Sequence, residues 1–223
     1  MTECGVCGRP LAPETAGCRN PLCASASRWF RWNVAVATRS GLLESALTAY
    51  KYGGERIRAR VFGAMVAGYL VQRQRLLGGF DLVVASPTYV GPGGRDFDHV
   101  RLMLTEAALQ MAPGEGPPFD LDVVPAIVKT GATPRLAGRG HADRRRLAAE
   151  RLRPVLSVPD PRRTAGKRLL VVDDVFTDGR TLDEVARALR LQGGAREVCG
   201  LSLCRQPWRE RPDRPSGPQA QRS

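Results

Sequence analysis

The stretch Arg168-Leu-Leu-Val-Val-Asp-Asp-Val-Phe-Thr-Asp-Gly-Arg-Thr181 concentrates the residue types that could do chemistry. Leu169 to Val172 is a short apolar run without alternation, as expected of a strand covered on both faces. It ends in two adjacent acids, Asp173 and Asp174; further on, Gly179 permits a tight turn and Thr181 opens a predicted helix. A glycine loop between the carboxyl end of a strand and a helix N-terminus offers free N–H groups and the positive helix end to a phosphate. The hydroxyls of Thr177 and Thr181 add donors, and the paired acids can accept hydrogen bonds from vicinal sugar hydroxyls. Together these groups describe a ribose 5-phosphate site. The acids alone could instead end a strand at the surface. The acidic pocket of phosphorylated signalling domains also follows an apolar strand, but near the start of its domain, whereas these acids lie late in the chain.

A second chemical cluster opens the sequence. Cys4-x2-Cys7 and Cys18-x4-Cys23 place four thiols where two close pairs can surround one tetrahedral Zn²⁺. In a reduced compartment metal is favoured over disulfides or free thiols, which are the other readings of these cysteines. A closed shell of four thiolates leaves no open position, so such a metal is structural. The segment lacks apolar periodicity and needs a staple of this kind to fold. Trp29 and Trp32 are expected to pack it onto the rest of the chain. Cys199 and Cys204 lie in an apolar run and read as core residues.

The elements that must position these groups follow from periodicity. Ser40 to Tyr52 and Arg56 to Leu77 read as helices, with Leu42, Leu43, Ala46 and Leu47, then Ile57, Val61, Ala64 and Met65, at helical spacing. His99 to Ala112 is a third helix. Thr181 to Gln192 is a fourth, closed by Gly193-Gly194; Thr181 with Glu184 matches capping-box spacing, although the cap could instead lie within the loop. Phe80 to Ala85, Asp122 to Val128, Arg168 to Val172 and Glu197 to Cys204 read as strands. Strands alternating with helices imply a mostly parallel sheet flanked by helices. A lone histidine, His99, could transfer a proton but is expected to be incidental. Ala142 to Leu147, with Arg139 and His141 upstream, gathers positive charge that either meets an anionic ligand or lies in water.

Composition sets the outer bounds. The 223 residues suffice for one domain with a sizeable core plus a small appendage. No apolar run is long enough for a transmembrane helix, and the polar, cysteine-bearing start is unlike a secretory signal, so a cytoplasmic protein is expected with no membrane partner. The net charge of +12 suits a nucleic-acid partner, but only Lys51, Lys129 and Lys167 are lysines. An arginine excess of that kind fits the codon bias of a GC-rich genome, and a solvated basic surface is the plainer reading.

The segment 169–181 resembles the phosphoribosyl pyrophosphate signature of type I phosphoribosyltransferases. From Cys4 to about Trp208 the chain resembles their ComF-like subgroup, which joins an N-terminal cysteine cluster to a phosphoribosyltransferase domain. Lys51-Tyr52-Gly53-Gly54 is similar to the subgroup's Lys-Tyr-x-Gly helix end, and Ala85-Ser-Pro-Thr88 to its small-residue loop after a strand. The resemblance implies an α/β, Rossmann-like type I phosphoribosyltransferase fold over 28–208 and a Cys4 zinc module over 1–27 (ligands Cys4, Cys7, Cys18 and Cys23); the tail over 209–223, rich in Pro, Arg, Gln and Ser, is expected to be disordered from its composition. It implies that Asp173 and Asp174 hold the ribose hydroxyls. Thr177, Asp178, Gly179, Arg180 and Thr181 would then anchor the 5-phosphate, with Ser86, Pro87 and Thr88 holding pyrophosphate. With Mg²⁺, phosphoribosyl pyrophosphate would pass its phosphoribosyl group to an unidentified acceptor. The alternative is a non-catalytic sensor of that ligand, or a competence-associated adaptor for DNA uptake or processing. Two departures stand out: Asp178 replaces the usual second threonine of the loop, and the family's Arg-Gly-Phe-Asn-Gln stretch is here Arg95-Asp-Phe-Asp-His99.

Overall fold

A computed structural model describes residues 3–11, 17–77, 79–112, 114, 116–134 and 145–207. Its centre is a four-stranded, all-parallel sheet of β1 (Asn33–Thr38), β2 (Leu82–Ala85), β5 (Arg168–Phe176) and β6 (Glu197–Arg205), in the order β1-β6-β5-β2. A separate ribbon pairs β3 (Val128–Lys129) antiparallel to β4 (Leu156–Ser157). The helices are α1 (Pro21–Ala24), α2 (Gly41–Tyr52), α3 (Arg58–Gln72), α4 (Gln74–Leu77), α5 (His99–Leu109) and α6 (Arg180–Leu191). Among the described residues no helix is long and apolar enough to cross a membrane.

The apolar runs of β5 and β6 are buried on both faces, which explains their lack of alternation. Along β5, Leu170 and Val172 pack with α2, α3 and α5, whereas Leu169 and Val171 pack with α6. Met103 and Leu104 of α5 are fully buried in the first layer, each worth about 1.5–3 kcal/mol relative to exposure. Close approach of α3 to α5 needs Gly63, where an added Cβ would come within 2.7 Å of the Ala107 backbone nitrogen. The cysteine segment joins the second layer: Cys4, Cys7, Leu22 and Phe30 share a core cluster with Phe176 and Leu182. Trp29 packs there too, but Trp32 turns to the opposite layer, edge-on to Phe80 at 5.8 Å.

Several sequence expectations are corrected. Asp122 to Val128 is not a strand: only Val128 pairs, and Val123 is fully exposed beside Pro125. The helix expected over 56–77 begins at Arg58 and breaks at Arg73, and that expected over 99–112 stops at Leu109. β1 was not expected. The acids do not end β5, which runs on to Phe176 and keeps pairing with β6. Thr181 and Glu184 form no capping box, because Gly179 occupies the cap position and Glu184 takes a bidentate pair from Arg153 at 2.8 and 2.9 Å. Arg139, His141, Ala142 to Arg144 and the tail over 209–223 lie outside the described residues.

Candidate functional site

β2 leads into α5 on one face of the sheet and β5 into α6 on the other, so the chain diverges at their carboxyl ends. Ligands of open α/β sheets bind at such switch points. A cavity of about 370 Å³ opens there, within the range of small-molecule sites. Asp173, Asp174, Ser86, Pro87, Thr88 and the whole segment Thr177 to Thr181 line this one cavity.

Neighbouring residues of a strand point to opposite faces, and this separates the two acids. Asp174 turns toward α2 and α5 and is buried. Its Oδ2 lies 2.5 Å from Lys51 Nζ and 2.5 Å from His99 Nε2. A carboxylate only accepts, so Nε2 carries the proton, and the other ring nitrogen, Nδ1, is buried without a partner among the described residues. Burial would push the Asp174 carboxyl up, but Lys51 and His99 hold it well below the usual range. Asp173 faces the cavity while its carboxyl is enclosed by protein. Burial, then the charge of Asp174, pushes it up to about 7, with a hydrogen bond from Ser86 working the other way.

Lys51 comes from the last turn of α2, ended by Gly53 and by Gly54 at φ +70°. His99 comes from the first turn of α5, capped by Asp98, whose Oδ1 accepts from Arg101 N–H at 2.9 Å. His99 is therefore not incidental, and Lys51 has a role that the sequence pattern did not reveal. Their partnership with Asp174 joins residues 75 or more positions apart and leaves no local signal.

The loop before α6 has the features of an anion site. Gly179 sits at φ +88°, and the first helical bond runs from Asp183 N–H to its carbonyl at 2.8 Å. The first-turn amides of Thr181 and Leu182 thus lack intrahelical partners. Asp178 is buried in this loop, and its Oδ1 accepts from Arg180 N–H at 3.2 Å. Its carbonyl accepts from Asn20 Nδ2 at 3.0 Å, while Asn20 Oδ1 caps α1 at Leu22 N–H. Trp29 N–H donates to Asp183 at 2.8 Å. The cysteine segment therefore grips the loop from behind.

The sulfurs of Cys4, Cys7, Cys18 and Cys23 lie within 4.8 Å of one another, and Cys7 Sγ is 3.7 Å from Cys18 Sγ. A tetrahedron with metal–sulfur bonds of about 2.3 Å has edges of about 3.8 Å, so the cluster can hold a metal such as zinc. A hydrogen bond from Cys23 holds the Cys7 thiol down to about 5, and the same bond together with burial pushes Cys23 up. Cys199 and Cys204 are core residues; burial pushes both thiols up to about 12. No protein-family model matches the chain, and no curated protein matches it.

Proposed function

We propose that the chain binds phosphoribosyl pyrophosphate with Mg²⁺ in this cavity and transfers the phosphoribosyl group to an acceptor. The observation that carries this reading is the meeting, in one cavity, of a cavity-facing acid, a glycine loop at a helix N-terminus and the Ser86–Thr88 loop. The first-turn amides of α6 and the hydroxyls of Thr177 and Thr181 take the 5-phosphate and convert its binding energy into orientation. Asp173 accepts from the ribose hydroxyls, and Ser86 steadies Asp173. Asp174, fixed by Lys51 and His99, is a positioning residue whose buried negative charge lies near the growing positive charge at C1. The anomeric C–O bond breaks with its electron pair leaving on pyrophosphate, the acceptor's nucleophile bonds to C1, and the acceptor gives up its proton. The hard oxygens of Asp173 and Ser86 suit Mg²⁺, which when bound neutralises pyrophosphate charge.

Phosphoribosyl pyrophosphate plus Mg²⁺ is expected to raise the melting temperature of the protein. Asp173→Asn should weaken that binding about tenfold or more, the loss of an ionised acceptor being worth roughly 1.5–3 kcal/mol. The ionised acid is the stronger acceptor, so affinity in the parent should rise with pH through about 7 and level off above. The ligand's own phosphate titrates in both proteins, so the difference between parent and Asp173→Asn isolates this carboxyl. Calorimetric titration showing equal affinity in both would mean that Asp173 only lines the wall.

The cysteine cluster is proposed to hold structural Zn²⁺. Purified protein should contain about one zinc per chain, with Cys4→Ser well below that. Zinc-free parent protein, or a Cys4→Ser variant with undiminished zinc, would remove this assignment.

One observation favours a second reading, a sensor that binds the ligand without transferring it. The Asp178 carboxylate occupies a loop amide that a phosphate could otherwise use. Pyrophosphate release from bound ligand separates the two: a sensor releases none.

A further inference from the structure

Lys51 has its counter-ion in Asp174, but on the wall away from the α6 loop Lys129 and Arg95 line the same cavity without one. Lys129, on β3, donates from Nζ to Thr133 Oγ1 at 2.6 Å and is half-buried. Arg95, also half-buried, stacks over the Tyr52 ring at 4.2 Å and donates to Tyr52 Oη at 3.2 Å and the Lys51 carbonyl at 3.4 Å. Neither makes an ion pair with a carboxylate among the described residues. The loops that carry them meet, since a Cβ on Gly93 would lie 3.6 Å from the Ala132 Cβ. Burial first, then the charge of Arg95, lowers the affinity of Lys129 for its proton, while the charge of Asp173 works the other way. Two neighbouring, partly desolvated cations that share only the field of Asp173, with no carboxylate in direct contact, are an unfavourable arrangement. An anionic group of a ligand relieves it.

We propose that Lys129 and Arg95, with Thr133, form the subsite for a carboxylate on the phosphoribosyl acceptor. This rests on the proposed function, which assigns the 5-phosphate to the α6 loop and pyrophosphate to the loop after β2. Lys129 belongs to the β3 ribbon outside the central sheet and Thr133 to the segment after it, while Arg95 reaches them from the far end of the loop after β2, well past Ser86–Thr88. The acceptor is the remaining reactant, and the class indicated is a nitrogen nucleophile that carries a carboxylate. Arg95 offers a planar fork that suits a carboxylate, and Lys129 adds a point charge.

The test uses probe pairs that differ in that charge, nicotinate against nicotinamide and orotate against uracil, on full-length protein holding Mg²⁺ and pyrophosphate. At least one carboxylate probe is expected to bind about tenfold or more tighter than its neutral counterpart. Lys129→Met and Arg95→Gln should each bring the pair close to parity, Lys129→Arg should retain the preference, and all three should keep the melting shift from phosphoribosyl pyrophosphate. Equal or absent binding of both members, in protein that is stabilised by phosphoribosyl pyrophosphate, overturns the inference. So does a Lys129→Met variant that binds pyrophosphate itself more weakly, which would assign the wall to the leaving group. A parent protein not stabilised by phosphoribosyl pyrophosphate removes the proposed function, and this inference with it.

Discussion

Asp174→Asn is expected to cost about 3–5 kcal/mol of stability, because it leaves the Lys51 ammonium beside it without a counter-ion in a buried site. The His99 Nε2–H loses a charged acceptor in the same step. Against a typical margin of about 5–15 kcal/mol, such a loss still leaves measurable folded protein at neutral pH. The expected pH dependence has a definite sign. Lys51 and His99 hold the Asp174 carboxyl well below its ordinary range against the opposing effect of burial. A depressed folded pKa gives stability that is present above the unfolded value of about 3.9 and is lost as pH falls through the folded one. The parent should therefore lose stability below about pH 4 more steeply than Asp174→Asn, and the gap between them should narrow. Urea unfolding of both proteins near neutrality and in acid measures this directly. The double variant Lys51→Met/Asp174→Leu should recover much of the loss, since an apolar pair can replace a buried ion pair. A single variant as stable as the parent would mean that the pair contributes nothing to the fold.

The split between the acids shows where sequence patterning stops. Leu169 to Val172 identifies a doubly covered strand, and Gly179 ahead of an amphipathic helix identifies its turn; both are local signals. Two adjacent acids look like the end of a buried strand, because an unpaired charge is rarely tolerated inside. Here β5 continues because the charge of Asp174 is met by Lys51 and His99, from two helices distant in sequence. Once the strand is known to continue, its period of two assigns the acids to different faces. The same reasoning explains the weak points elsewhere. The apolar content of 122–128 resembles a strand, but Pro125 supplies no N–H, and Val123 has no layer to cover it. Thr181 and Glu184 satisfy capping-box spacing, yet Glu184 finds a better partner in Arg153. Lys129 carries no motif at all, and Arg95 stands only in a stretch that departs from its family pattern, so their shared cavity is what relates them.

Gly179→Val tests the phosphate loop through its backbone. At φ +88° a β-branched residue is strained, and its Cβ would lie 2.9 Å from Phe176 Cζ and 3.1 Å from Leu22 Cδ2. These contacts are with the core and the cysteine segment, so the new side chain does not itself fill the phosphate site. Backbone strain of about 1–3 kcal/mol and overpacking of about 1–3 kcal/mol together predict a loss of about 2–6 kcal/mol. Ligand binding should fail for a linked reason: relieving either cost moves the loop and misdirects the first-turn amides of α6. Melting curves should show a lower transition for Gly179→Val and no upward shift with phosphoribosyl pyrophosphate plus Mg²⁺. Gly179→Ala, unbranched at Cβ, meets the same contacts at the same φ with less bulk, so it should be less destabilised than Gly179→Val, while binding stays lost if the left-handed backbone is what aims the amides. Should the folded Gly179→Val protein be stabilised by the ligand as much as the parent, the phosphate lies elsewhere, and the ribose 5-phosphate site falls with it.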